Sequence, residues 1–249
     1  MGIKYFNTET KLLLRMVLLD IQQWLRRYGL ETAQLSLGAM LARSQMRDNS
    51  IQTVIDIGAS DGRWSLVARR YFPQAYYFLI EARKEHEPAL CKFKRKYSNI
   101  DYKIAAAGDT IGEVYFDASH LFGGIASHTP FEQNCVSVPV TTVDAEVHTR
   151  QLKPPFLLKL DTHGFEVPIF QGAQETLRQT NIIVVETYNF AITKHSLLFY
   201  NICVFLEKQG FRCVDMCDPL HRPRDHVLWQ IDFCFMPTNH AVFESDSYW

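Results

Sequence analysis

A run of apolar residues at 54–57 leads directly into a loop that carries two glycines and two acids. This junction lies where open α/β sheets bind ligands, and glycine lets a ligand approach the backbone. Ser60 replaces the middle glycine of G-x-G-x-x-G, and no G-x-x-x-x-G-K-[ST] is present, so the pattern disfavours nicotinamide dinucleotides and nucleoside triphosphates. Asp56 and Asp61 would repel a pyrophosphate but suit a cationic amino acid portion. The predicted binding residues of this segment are Asp56, Gly58, Ala59, Ser60, Asp61 and Gly62.

Glu81 ends the second apolar run, 19 residues beyond Gly62. An acid at this point of a βαβ unit can accept hydrogen bonds from both hydroxyls of an adenosine ribose. A solvated glutamate at a strand end is the alternative for Glu81 taken alone, but its spacing from the glycine loop favours the ribose role. We expect Ala82 beside it and Ala106 near the adenine, so the sequence predicts an adenosine-containing ligand.

A second group of charged side chains lies in the segment from Leu157 to Glu166. Alternation along a strand places Lys159 and Asp161 on one face, and the chain then turns through His163 and a glycine into a helix. We therefore expect these groups at the ligand-binding edge of the sheet.

Several motifs follow one another in a fixed order: a D-x-G-A loop, an acid ending the second strand, a T-x-D element, a K-x-D-x-x-G-x-E segment and a G-A pair. They are Asp56 to Ala59, Glu81, Thr142 to Asp144, Lys159 to Glu166, and Gly172 with Ala173. Over roughly residues 53–190 this pattern resembles the FkbM family of S-adenosylmethionine-dependent methyltransferases. The resemblance implies methyl transfer from S-adenosylmethionine to oxygen, typically a hydroxyl of a sugar or secondary metabolite, in natural product or polysaccharide biosynthesis. Many relatives have Glu or Gln where this chain has His163, so the family assigns that histidine no role.

Methylation of a hydroxyl requires an acceptor oxygen aligned with the methyl group and a side chain that takes the proton. Imidazole titrates near neutrality, so His163 is the candidate base, with substrate binding or a structural role as alternatives. Asp161 could orient His163 or take the proton itself. Lys159 could pair with Asp161 or hold the substrate oxygen.

Three further residues are predicted to bind the substrate: Glu186, Tyr188 and Asp232. Glu186 closes the next parallel strand and should face the cleft beside Asp161. A divalent cation bridged by Asp161, Glu186 and Asp232 is a minority alternative, because the spacing of the carboxylates is not diagnostic. We predict no metal site.

The elements that must position these residues alternate between strand-like and helical runs from residue 53, as in a largely parallel sheet. A hairpin insertion at Gly112 to Asp117 and Cys135 to Thr142 interrupts the alternation, and its loop in His120 to Thr129 could border the cleft. Only a turn separates the last strands, Phe211 to Cys217 and Trp229 to Phe235, so they should be antiparallel. The sequence therefore predicts an α/β fold with a Rossmann-like seven-stranded methyltransferase sheet and an antiparallel last strand. The other predicted strands are 53–57, 76–80, 101–106, 156–161 and 182–187, and the predicted helices are 64–71, 87–97, 167–178 and 197–209.

Apolar residues recur at helical spacing in 8–28 and again in 31–47, which predicts an N-terminal helical cap over 1–50 before a methyltransferase domain over 51–249. We expect these helices to pack on the core or cover the cleft. An interfacial membrane helix is the sharper alternative.

Composition excludes several classes of protein. With 26 Lys plus Arg against 27 Asp plus Glu, the chain has no charge excess for nucleic acid, so we expect a small-molecule or glycan acceptor. The six cysteines contain no CxxC pair, which favours reduced thiols in a cytoplasmic protein. No apolar run is long enough to span a membrane, and no signal peptide is expected. The sequence leaves a homo-oligomer open.

The sequence also allows two other functions. One is a nicotinamide-dependent oxidoreductase, which the missing middle glycine disfavours. The other is a non-catalytic nucleotide-binding or membrane-associated module, because a fold does not fix a function.

Overall fold

A computed structural model of the protein describes residues 34–194 and 196–248, which fold around a seven-stranded sheet. The strand order is β10-β11-β9-β8-β1-β2-β3, and β11 runs antiparallel to both of its neighbours. The remaining pairs are parallel, so the predicted Rossmann-like methyltransferase sheet with an antiparallel last strand is confirmed. The strands in both sheets are β1 Thr53–Ile57, β2 Tyr76–Glu81, β3 Ile100–Ile104, β4 Ala106–Ala107, β5 Gly112–Asp117, β6 Ile125–Ser127, β7 Cys135–Thr141, β8 Phe156–Leu160, β9 Thr180–Tyr188, β10 Phe211–His221 and β11 Leu228–Pro237.

A second sheet of four short strands, in the order β4-β7-β5-β6, forms the insertion. The predicted pairing is present, since β5 runs antiparallel to β7. The strand expected over 101–106 is divided: β3 ends at Ile104, and β4 joins the second sheet. The stretch expected to be a loop contains β6, which pairs with β5 and leaves residues 118–124 as the connection.

Helices cover both faces of the large sheet. One helix, Val143–Arg150 (α4), was not predicted. Thr142 caps it by accepting a hydrogen bond from the Ala145 N–H. The helix expected over 167–178 is divided into two helices, with Gly172 and Ala173 between them. At this break the chain passes close to Gly108, whose carbonyl oxygen would lie 2.0 Å from a Cβ on Gly172. The helices are α1 Leu37–Arg47, α2 Arg63–Ala68, α3 Glu87–Lys96, α4 Val143–Arg150, α5 Glu166–Gln171, α6 Gln174–Leu177 and α7 Phe199–Lys208.

The core lies on both faces of the sheet, which is why β1 and β8 are buried at every residue. Helices α4 to α7 and the second sheet pack on one face, and α1 to α3 pack on the other. Met40 and Leu41 of α1 are fully buried, and Arg43 and Arg47 pair with Asp215 of β10 at 2.7 and 2.8 Å. Helix α1 is therefore packed on the large sheet.

The helix expected over 8–28 lies outside the described residues. Within 34–194 and 196–248, no helix is both long and apolar enough to cross a membrane.

Candidate active site

The loop after β1 is shaped by glycines with left-handed backbone angles, φ 71° at Gly58 and 84° at Gly62. A Cβ at Gly58 would lie 1.9 Å from the carbonyl oxygen of Asp161, and one at Gly62 would lie 2.8 Å from the Phe93 ring. Close packing against the end of β8 and against α3 therefore requires both glycines. Sequence analysis had expected the two glycines to let a ligand approach the backbone.

Lys159 lies buried between two acids on the face that carries Asp56. Its Nζ is 3.1 Å from Asp56 Oδ1 and 3.3 Å from Asp161 Oδ2, and it donates to the Gly58 carbonyl at 3.2 Å. Burial lowers the pKa of Lys159, but the charges of Asp161 and Asp56 outweigh it and raise that pKa above its usual value. Asp56 also accepts a hydrogen bond from Ser65 Oγ at 2.6 Å. These contacts fix the ends of β1 and β8 relative to each other.

Glu81 turns its buried carboxylate toward the same loop. Oε2 accepts the Ser60 N–H at 2.6 Å, and Oε1 accepts the Arg83 N–H at 2.7 Å. Burial raises the pKa of Glu81, and the two backbone hydrogen bonds oppose that rise. Each oxygen retains a lone pair, so the carboxylate can accept further hydrogen bonds from a diol.

A cavity of about 330 Å³ joins this loop to the end of β8, and such a volume is typical of small-ligand sites. Its walls include most of the residues predicted from the sequence. Those that line it are Gly58, Ala59, Ser60, Glu81, Ala82, Ala106, Lys159, Asp161, His163 and Glu186. The other predicted residues do not line it, namely Asp56, Asp61, Gly62, Tyr188 and Asp232. Asp61 pairs at 2.8 Å with Arg63, which does line the cavity.

His163 is held at the other end of the cavity by a carboxylate and a phenol. Its Nδ1 lies 3.2 Å from Glu186 Oε1 and 2.8 Å from the Tyr188 hydroxyl, which also donates to Glu186. Glu186 Oε2 accepts a hydrogen bond from Gln230 Nε2 at 2.9 Å. Both oxygens of Glu186 are therefore engaged, as expected of a group that orients an imidazole.

The turn that carries His163 is fixed by Glu166. His163 adopts φ 52°, an unusual angle for a residue other than glycine. The Glu166 carboxylate accepts the Gly164 N–H at 2.8 Å and thereby closes the turn. Such local strain persists only where surrounding contacts hold it.

A model of the methyltransferase FkbM domain matches residues 56–213, more than half of the 249-residue chain. The chain belongs to the FkbM methyltransferase family. The matched region contains the glycine loop, Glu81 and the turn at His163. No curated protein matches the chain.

The solved structures that resemble this chain show low sequence identity to it. A methyltransferase FkbM from Methylobacillus flagellatus KT is 16% identical with a TM-score of 0.49, and the match covers 74% of this chain but only 43% of that one. The 1,6-didemethyltoxoflavin-N1-methyltransferase of Burkholderia thailandensis, solved with S-adenosylhomocysteine, is 12% identical with a TM-score of 0.47 over 95% of this chain and 92% of that one. A precorrin-6y C5,15-methyltransferase from Geobacter metallireducens GS-15 is 12% identical with a TM-score of 0.42, covering 79% and 86%. These similarities concern the fold alone.

Several cavity residues of this FkbM-family chain were missed by sequence analysis. They are Arg63, Trp64, Arg83, His86, Phe122, Phe165 and Gln230. Arg83 and His86 follow Glu81 so closely that their position after a strand end could have indicated them. Phe122 lies in the loop that was expected to border the cleft, whereas Gln230 reaches the cavity from a distant part of the chain and no local pattern marks it.

The charged groups around His163 explain its protonation. Burial lowers the pKa of His163, but the hydrogen bond to Glu186 and the charges of Asp161 and Glu186 raise it to about 9. Asp232 on β11 lies opposite Glu186 on β9. Burial raises the pKa of Asp232, and the charges of Glu186 and Asp161 raise it further. Asp161, His163 and Glu186 offer atoms within 4.8 Å of one another, and Lys159 Nζ lies 3.3 Å from Asp161 Oδ2. The absence of a metal site stays a prediction from the sequence.

We expect the Glu186→Gln variant to lower the pKa of His163 by about 1 to 3 units, because the neighbouring negative charge is removed. NMR titration of the imidazole signals measures this pKa, and loss of one signal in His163→Asn identifies the residue. Glu207→Gln, an exposed change on α7, is the matched control and should leave the titration unchanged. An unchanged His163 titration in Glu186→Gln would contradict this account of the pair.

Proposed function

We propose that this protein is an S-adenosylmethionine-dependent O-methyltransferase that acts on a hydroxyl of a sugar or secondary metabolite. The observation that carries the proposal is the continuity of one cavity, with Glu81 at one end and the His163–Glu186 pair at the other. The first end suits an adenosine-containing donor, and the second suits removal of a proton from an acceptor. Membership of the FkbM methyltransferase family supports the same reaction class.

The side chains on the donor side fit S-adenosylmethionine. The lone pairs of Glu81 can accept the two ribose hydroxyls, and the small residues Ala105, Ala106 and Ala107 form an apolar wall suited to a flat base. Asp161 supplies a negative charge near the loop for the amino group. When bound, S-adenosylmethionine would supply an electrophilic methyl group.

His163 would take the proton of the acceptor hydroxyl. Because Nδ1 faces Glu186, the proton would go to the other ring nitrogen. In the proposed transfer, the methyl group would pass from the sulfur of the donor to the acceptor oxygen, and the imidazole of His163 would hold the proton that the hydroxyl loses. Glu186 and Tyr188 would orient the ring and stabilise its charge, a positioning role that we add to the substrate contacts predicted for them.

Domain organisation and partners form part of the same proposal. We propose an N-terminal helical cap over residues 1–50 and a methyltransferase domain over residues 51–249. The near balance of 26 basic and 27 acidic residues supports a small or glycan acceptor over nucleic acid. The six cysteines without a CxxC pair support a cytoplasmic location.

An acceptor screen with methyl-labelled S-adenosylmethionine tests the function. The panel should contain sugars and glycosylated metabolites, with amines, carboxylic acids and RNA as competing classes. We expect a labelled product whose new methyl group NMR assigns to oxygen. A methyl group found on nitrogen, on carbon or in RNA would refute the proposed acceptor class.

A further inference from the structure

Residues 118–124 connect β5 to β6 and cross the cavity, and we call this segment the strap. Leu121, Phe122, Gly123 and Gly124 all line the cavity wall. The strap packs tightly at Gly124, where a Cβ would lie 2.2 Å from the Phe116 ring. Its residues 120–124 belong to the stretch that sequence analysis expected to border the cleft.

Arg83 holds both the strap and Glu81. Its NH1 donates to the carbonyl oxygens of Ala118 at 3.0 Å and His120 at 2.7 Å. Its backbone N–H donates to the Glu81 carboxylate at 2.7 Å. The Arg83 side chain is only 9% exposed, so its hydrogen bonds to the strap are largely shielded from water.

Two neighbouring side chains hold the tip of the strap from the same side. His86 Nε2 lies 3.0 Å from the Leu121 carbonyl oxygen and 3.5 Å from Ser60 Oγ, and its ring lies 5.2 Å from that of Phe122. The Arg63 guanidinium covers the Phe122 ring at 4.7 Å. All these contacts arise from the segments after β1 and β2, which form the donor side of the cavity.

The strap also shares the cavity with the groups assigned to the acceptor. Phe122 of the strap, His163 and Glu186 all line it. The strap therefore borders the groups assigned to both substrates.

We propose that Arg83 is a positioning residue that locks the strap over the bound donor. This inference rests on the proposed function. Because one residue binds Glu81 through its backbone and the strap through its side chain, an ordered Glu81 and a closed strap stabilise each other. A closed strap retains the donor while the acceptor enters, so Arg83 governs donor dissociation.

Stopped-flow binding of S-adenosylhomocysteine to the full chain tests this inference. Arg83→Met removes the guanidinium but keeps the backbone N–H that holds Glu81, so it separates the two contacts. We expect dissociation to be about 10- to 100-fold faster in Arg83→Met, with association little changed. Arg224→Met, which removes an arginine that is 75% exposed in the β10–β11 turn, should dissociate as the wild type does.

Hydrogen exchange supplies a readout that general destabilisation would not reproduce. S-adenosylhomocysteine should slow amide exchange in 118–124 of the wild type, and Arg83→Met should lose this local protection while exchange in β8 and β9 is unchanged. Arg83→Lys keeps the charge and should recover part of the slow dissociation. Equal dissociation rates and equal strap protection in wild type and Arg83→Met would overturn the inference alone. Absence of any binding to the wild type would overturn the proposed function with it.

Discussion

Replacing Glu81 with alanine is expected to weaken S-adenosylhomocysteine binding by at least about 100-fold. The change removes a charged acceptor for two ribose hydroxyls, and each such hydrogen bond contributes about 1.5 to 3 kcal/mol. It also frees the Ser60 and Arg83 N–H groups that shape the loop. Calorimetric titration measures the loss.

Two further variants make the Glu81 result interpretable. Glu81→Gln keeps the shape of the side chain, and we expect it to bind more weakly than the wild type but more tightly than Glu81→Ala. Glu207→Ala removes an exposed glutamate from α7 and should bind normally. Full affinity in a folded Glu81→Ala protein would show that the donor binds elsewhere.

His163→Asn is expected to lower kcat by about 100- to 10,000-fold, the usual contribution of a general base. Asparagine tolerates left-handed backbone angles, so it can keep the φ of 52° and preserve the turn. Affinity for S-adenosylhomocysteine should change little, because Glu81 is untouched. The acceptor identified in the screen serves as the substrate for these rates.

The pH dependence of the wild-type rate provides a separate test of His163. A base must be neutral to accept a proton, and the pKa of His163 is raised to about 9. The rate should therefore rise as the pH approaches 9, beyond the range in which an unperturbed histidine is already fully neutral. A flat profile above neutral pH, or a His163→Asn variant within tenfold of the wild-type rate, would shift the role of base to Asp161.

The sequence was sufficient for features that depend on local pattern. Continuous apolar runs predicted the buried strands β1, β8 and β9, and the parallel sheet then gathered Glu81, Asp161 and Glu186 at one edge. Alternation along β8 correctly placed Lys159 near Asp161. Such features need only the period of a strand and the topology of the sheet.

Features that depend on contacts between distant segments could not be predicted. Gly58 is required by the Asp161 carbonyl, more than a hundred residues away. Glu186 is held beside His163 by Gln230 from β11, which donates to the second carboxylate oxygen of Glu186. Side-chain roles therefore depended on partners that no local pattern identifies.

The most direct test of the account is calorimetric titration of the wild-type protein with S-adenosylhomocysteine and, separately, with NADH. We predict binding of one S-adenosylhomocysteine per chain with a micromolar dissociation constant, and no binding of NADH. Absence of S-adenosylhomocysteine binding by the folded protein, or binding of NADH in its place, would contradict the assignment of this cavity to a methyl donor.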